Sequence, residues 1–210
     1  PEGLRRDHIR PVESQRQLLG MTLSSLRRLQ VLINQSAIDP LTGIHNRRKL
    51  LEFLDAQVQS ATTAGPGLHV AVIDVDSFKD INDSHGHAAG DMVLKYVAAA
   101  LSQSARPGDC VARCGGDEFV AVLLDSSRER DAEFHHAVRS NLNRALHAGG
   151  LGHIAVNLSI GFAAFNGQLR TSSQLLDAAD AAMYNLKRLT HSRAFTPPSF
   201  SIPCENTSHG

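Results

Sequence analysis

The sequence predicts an α+β fold of the ferredoxin-like order, with a central antiparallel sheet flanked by helices. Three observations lead there. Residues 68–74 form a near-continuous apolar run, as a strand buried on both faces requires. Residues 109–112 and 119–124 are two further strand-like runs, joined through Gly115-Gly116 in the manner of a hairpin. Residues 91–104, 127–147 and 171–189 have helical patterns and alternate with these runs, and residues 154–163 read as the last core strand. The resulting order is strand, helix, strand, strand, helix, strand, with extra helices added.

Bulk properties narrow the classes. With 210 residues, one ordinary domain plus additional segments is expected. Lys+Arg and Asp+Glu balance at 21 each, which argues against a nucleic-acid partner and makes any phosphate binding local. Three cysteines, an odd number, do not make a disulfide framework and suit a reducing, cytoplasmic compartment. The chain begins at Pro1, so an upstream sensory domain is expected, with a tether to the inner membrane left open. The expected division is a linker and signalling helix over 1–36, a folded domain over 37–195 and a flexible tail over 196–210.

Within residues 12–35, Val12, Leu19, Leu26 and Ile33 recur every seven residues, with Leu23 between them. Arg16 and Gln30 interrupt the second seam. Two readings fit: a parallel coiled-coil stalk joining two protomers, or an amphipathic helix packed on its own domain. Pro40 and Gly43 end this helix, and a new one is expected from Asn46 to about Ser60. Residues 61–67 are a loop of small residues. The run 68–74 ends in Asp74-Val75-Asp76-Ser77-Phe78-Lys79, acidic residues at a buried strand end where a metal is often held. A calcium loop is excluded, because Phe78 stands at the fifth position and Lys79 at the sixth, where glycine is needed. The helix that follows, ending near Ser104, has Met92, Val93, Tyr96, Val97, Ala100 and Leu101 on its apolar face.

Arg106-Pro107-Gly108-Asp109 has type II turn chemistry, which should set Arg106 and Asp109 side by side. In Arg113-Cys114-Gly115-Gly116-Asp117-Glu118-Phe119, paired glycines suit the positive φ of a primed turn. Asp117 and Glu118 are adjacent at the start of a strand, so only one of them can join a given site. Thr171 or Ser172 caps the last helix.

Gly115-Gly116-Asp117-Glu118-Phe119 resembles the signature of the GGDEF family, the diguanylate cyclases, which condense two GTP into cyclic di-GMP. Four further stretches resemble that family's motifs in order: residues 39–48 (with Ile44 for the usual Leu), 74–83, 85–91 and 154–163. Together they cover about residues 38–193. The resemblance implies a nucleotidyl cyclase palm and a Mg²⁺-dependent reaction, with Mn²⁺ as the alternative ion. The ferredoxin-like order places Asp74 next to Asp117. By resemblance the metal ligands are Asp74, the Val75 carbonyl and Asp117. Asp117 and Lys79 are the catalytic candidates, with Glu118 expected to point the other way. Asn82 and Asp91 would read guanine, and His87, Phe78, Leu41 and Leu94 would line the pocket. Lys187 would meet the phosphates, but His191 stands where the family usually has arginine. Arg106 and Asp109 match the inhibitory product site, with Arg139 and Arg144 as candidate second arginines. A homodimer is implied, because each phosphodiester joins one GTP to another. The other reading, from a different class, is a binding module that senses GTP or cyclic di-GMP without turnover. A zinc set of Cys110, Cys114, His85 and His87 would have to displace this better-matched arrangement.

Overall fold

The computed structural model describes residues 19–21, 37–61, 67–166 and 168–193, with side chains described as far as Arg188. Leu19, Gly20 and Met21 are helical. The rest of the seven-residue repeat, the His191 side chain and the tail expected over 196–210 lie outside the described residues.

Strand β2 (His69–Val75) is buried along its whole length because both of its faces are covered. Val70 and Val72 pack with Leu50 and Leu54 of α1 (Arg47–Ser60) and with Leu175, Ala179 and Met183 of α5 (Ser172–Arg193). Ala71, Ile73 and Val75 pack on the other side. Their partners there include Ile81 of α2 (Phe78–His85), Val93 and Val97 of α3 (His87–Ser104), and Phe134 and Val138 of α4 (Arg128–Ala148). Alternation along one strand thus feeds two cores, which accounts for the unbroken apolar run.

The sheet also contains β1 (His45–Asn46), β3 (Cys110–Arg113), β4 (Glu118–Leu123) and β5 (Leu158–Ala164), in the order β1-β3-β4-β2-β5. The pairs β3–β4, β4–β2 and β2–β5 are antiparallel, as the ferredoxin-like order requires. Strand β1 adds a parallel edge, pairing His45 with Ala112 and Asn46 with Arg113. Two residues have no periodicity, so this edge left no trace in the sequence pattern. Expected caps are in place: the Asn46 side chain accepts from the Lys49 N–H at 3.1 Å, and the Thr171 hydroxyl accepts from the Gln174 N–H at 3.2 Å. At the far end of β2, His69 Nδ1 meets Asp131 at 2.8 Å, and Ser126 donates to the same carboxylate, tying the sheet to α4.

Two local expectations change. Strand β5 starts at Leu158 rather than Ile154, with the Asp76 N–H still bonding the Asn157 carbonyl in the same register just ahead of it; Ile154 and Val156 are buried all the same. The hairpin turn is not of the primed type, because neither Gly115 nor Gly116 has a positive φ. Instead the Cys114 N–H donates to the Glu118 carbonyl at 2.9 Å, and a Cβ on Gly115 would lie 2.8 Å from the Glu118 carboxylate. The glycine there makes room for a side chain rather than supplying an unusual backbone. No helix among the described residues is long and apolar enough to cross a membrane.

Candidate active site

Strand β2 delivers Asp74 to one end of the sheet, and the β3–β4 turn delivers Asp117 to the same end. The link is main-chain: the Val75 N–H donates to the Asp117 carbonyl at 3.3 Å. The register pairs Asp74 with Glu118, and directly paired residues share a sheet face. Glu118 therefore does not point away from Asp74, as alternation alone suggested. Both lie at the end of the face covered by α1 and α5, because they are in phase with Val70, Val72, Val120 and Val122. Asp117, just before the strand, lies opposite Val75 in the same register.

Lys187 reaches in from α5, and its ammonium lies 2.5 Å from Asp74 Oδ1. Burial pushes the Asp74 carboxyl above its usual range; Lys187 opposes this, while the Asp117 and Asp76 charges push it further up. Burial works against the Lys187 charge, but Asp74, Asp76 and Asp117 outweigh it and hold its pKa above the ordinary lysine value. The three carboxylates thus already draw one cation. Asp76 was not singled out from the sequence; it is fixed to β5 by the Ser159 hydroxyl at 2.7 Å.

These donors fit Mg²⁺ in kind. Asp74 and Asp117 supply carboxylate oxygens and Val75 a carbonyl, hard ligands too few for an octahedral ion, which commonly keeps waters and takes phosphate oxygens. Among the described residues, no three or more His, Cys, Asp or Glu side chains gather as a ready-made metal cage. The zinc set is not assembled. Burial pushes the Cys110 and Cys114 thiols up to about 11, and His85 instead packs edge-on against His153.

The guanine-reading candidates meet where α2 joins α3. Ser77, in a left-handed conformation with φ of 52°, turns the chain sharply from β2 into α2. Gly90 then lets two side chains close in: a Cβ there would lie 2.0 Å from Asn82 Oδ1 and 3.2 Å from Phe78 Cζ. Asp91 is the next residue, exposed on α3, with His87 one turn earlier and also exposed. Leu94 is buried, and Leu41 and Phe78 are partly buried against the same core cluster. Lys79 is exposed on the first turn of α2.

The turn of residues 106–109 is type II, with Gly108 at φ 100° and the Asp109 N–H donating to the Arg106 carbonyl at 3.0 Å. Its side chains are not arranged as expected, however. The Asp109 carboxylate is 1% exposed and accepts from Arg106 N–H (2.7 Å), Leu124 N–H (2.9 Å) and the Arg130 guanidinium (2.5 Å). Arg130, which also donates to the Leu124 carbonyl, takes the place beside Asp109 foreseen for Arg106. Arg106 swings out to Glu133 at 3.2 Å. A cavity of about 470 Å³ opens beside this turn, floored by Ile44, Ala105 and Val111. Arg139 and Arg144 are exposed on α4, and Arg144 is held by Asn141.

A family model for the diguanylate cyclase GGDEF domain matches residues 36–193. The chain belongs to the GGDEF family. Among curated relatives, this GGDEF chain is 36% identical over 181 residues to diguanylate cyclase DosC of Escherichia coli K12, covering 85% of this chain and 39% of that protein. It is 38% identical over 156 residues to diguanylate cyclase DgcP of Pseudomonas aeruginosa, covering 74% and 23% respectively. The chain thus spans about two fifths or less of these relatives. Among solved structures, the GGDEF domain of DgcB from Caulobacter crescentus, in complex with c-di-GMP, superposes with a TM-score of 0.63 at 30% identity, covering 73% of this chain and 89% of that one. Arg113, Arg130 and Asp76 are the residues that sequence reasoning on this GGDEF domain passed over. Asp76, inside the acidic run that ends β2, and Arg113, adjoining the signature, both stood at a signal; Arg130 did not.

Proposed function

We propose that this domain is a diguanylate cyclase, condensing two GTP into cyclic di-GMP with release of pyrophosphate. The observation that carries the reading is the convergence of Asp74, Glu118 and the Asp117 main chain at one sheet end, with Lys187 drawn onto Asp74. Asp74, the Val75 carbonyl and Asp117 would hold Mg²⁺, with Mn²⁺ as the alternative. When bound, such an ion offsets phosphate charge and acidifies an attacking hydroxyl. Lys187 and Lys79 face the polyphosphate and steady its charge. Asn82 and Asp91 match guanine, since a carboxylate accepting from the base N1–H and amine leaves adenine unmatched. His87 and the apolar group of Leu41, Phe78 and Leu94 close the pocket around the base. Incubation with GTP and Mg²⁺ followed by nucleotide chromatography tests this. The intact chain yields cyclic di-GMP, and Asp117→Asn, which removes one charge at a strand end and no core volume, abolishes it while the fold persists. Nucleotide binding without product from the intact chain would instead identify a sensing module.

Product control belongs to the same reading. Arg106, exposed beside the 470 Å³ cavity, offers paired donors for phosphate or the guanine Hoogsteen edge. Asp109, fully engaged by Arg130, serves here to fix the turn rather than to meet the ligand first. Arg106→Ala therefore weakens cyclic di-GMP binding at least tenfold in calorimetry and raises the product plateau without changing the initial rate. Equal affinity for both proteins would remove the site.

A further inference from the structure

Two cations have a claim on Asp74. Its side chain is 12% exposed, and its Oδ1 accepts from the Lys187 ammonium at 2.5 Å. The Asp76 and Asp117 charges add to the pull on that ammonium. The neighbouring Asp76 is instead bonded by the Ser159 hydroxyl at 2.7 Å. Asp74 also heads the proposed metal ligands, and Mg²⁺ takes its oxygens at about 2.1 Å in a rigid octahedral shell. Two positive charges drawn to one partly buried carboxylate repel each other far more than they would in water. The lysine can move without its helix. Its backbone sits one turn beyond Met183, whose main chain lies against Gly161 of β5, so α5 cannot follow the side chain. Four methylenes give the ammonium its own reach. At 30% exposed, Lys187 is the more solvent-facing member of the pair.

We propose that Lys187 competes with Mg²⁺ for Asp74, and that a polyphosphate relieves the competition by offering the ammonium another anion, so that metal and nucleotide bind as a coupled pair. Metal alone must strip Asp74 of its lysine and leaves that ammonium beside an added positive charge. Metal with triphosphate does not, because the phosphate oxygens take the lysine up. Such coupling is reciprocal: what nucleotide adds to metal affinity, metal adds to nucleotide affinity. The proposal rests on Asp74 as a metal ligand, as in the cyclase reading, and not on turnover.

The test titrates the full chain with Mn²⁺, whose free-ion paramagnetic resonance signal falls as it binds. Without nucleotide, Lys187→Met and Lys187→Gln are expected to bind Mn²⁺ at least tenfold more tightly than the intact chain. Lys79→Met, which removes a lysine exposed on the first turn of α2, should gain less than threefold. With a GTP analogue bridged by methylene between its α and β phosphates, the gap between the intact chain and the Lys187 variants should close to less than threefold. Acetic anhydride labelling, read by mass spectrometry, follows the lysine itself. In the intact chain, saturating Mn²⁺ without nucleotide should raise labelling of Lys187 at least threefold and leave Lys95, exposed on α3, unchanged. Equal Mn²⁺ affinity in the intact chain and the Lys187 variants, or an equal gain in Lys79→Met, overturns the competition. A gap that the analogue does not narrow overturns its relief by phosphate. Should neither Lys187 variant fold, labelling decides alone, and no rise at Lys187 sinks the proposal. Mn²⁺ binding by none of these proteins removes the metal site of the cyclase reading, and the proposal with it.

Discussion

Asp39 shows how one side chain can set a pH limit on the fold. Burial pushes its carboxyl up, but the hydrogen bonds from Thr42 and Arg113 outweigh burial and hold it below the ordinary 3.8. A carboxyl lowered by folding contributes stability above its unfolded pKa and loses it as pH falls through the folded one. The intact domain should therefore lose stability relative to Asp39→Asn as pH drops from about 5 to below 3.8. The gap at neutral pH should be roughly 1.5–3 kcal/mol, the usual worth of hydrogen bonds to a charged group. Parallel urea melts of the two proteins at pH 7 and pH 3 check it; an equal gap at both would remove the charge from the account. At this scale the site was only partly legible. Asp74, Asn82, Asp91 and Asp117 stood in recognisable motifs, whereas Arg130 sits in a polar helical stretch with nothing to mark its direction. Its partner Asp109 is 21 residues away, and such a pairing is created by the fold rather than by local pattern.

At the scale of elements, the contact between α5 and β5 governs where Lys187 stands. Gly161 of β5 lies so close to the helix that a Cβ would be 2.1 Å from the Met183 N and 2.3 Å from the Ala179 carbonyl oxygen. Both are main-chain atoms, so no rotamer change can relieve the clash. Gly161→Ala should force α5 outward and cost on the order of 1–3 kcal/mol, as overpacking does. It should also lower cyclase activity beyond the loss of folded protein, because Lys187 lies one turn beyond Met183. Melting temperature and activity per folded molecule separate the two effects; full activity per folded molecule would show that Lys187 tolerates the shift. The helices were legible because their periodicity runs over many residues, and the four core strands as apolar runs between them, down to the four residues of β3. The two-residue β1 and the true start of β5 were not, because the first pairs with a distant strand and buried Ile154 and Val156 continue the apolar pattern ahead of the second.

At the scale of the molecule, the proposed cyclase reaction is symmetric, and one domain would offer one half of it. Two copies would then face each other across a two-fold axis, each site serving one of the two phosphodiester bonds. Specific activity should therefore fall on dilution. A trace of intact chain in a large excess of Asp117→Asn chain should accumulate the linear dinucleotide, since a mixed pair can make only one bond. Chromatography distinguishes linear from cyclic product, and undiminished cyclic product under that excess would rule out the paired arrangement. The β3–β4 hairpin binds the two proposed sites together in inheritance as well as in space. Strand β4, six residues and about 20 Å long, has the signature turn at one end. Just past its other end is Leu124, whose N–H holds Asp109. Gain or loss of one residue within either strand turns every later side chain to the opposite face. Such a slip would damage the carboxylate end and the turn of residues 106–109 in a single event. A change in the length of this hairpin would thus strike both proposed sites at once, whereas substitutions at Asp74 or Arg106, which lie outside it, would strike one at a time.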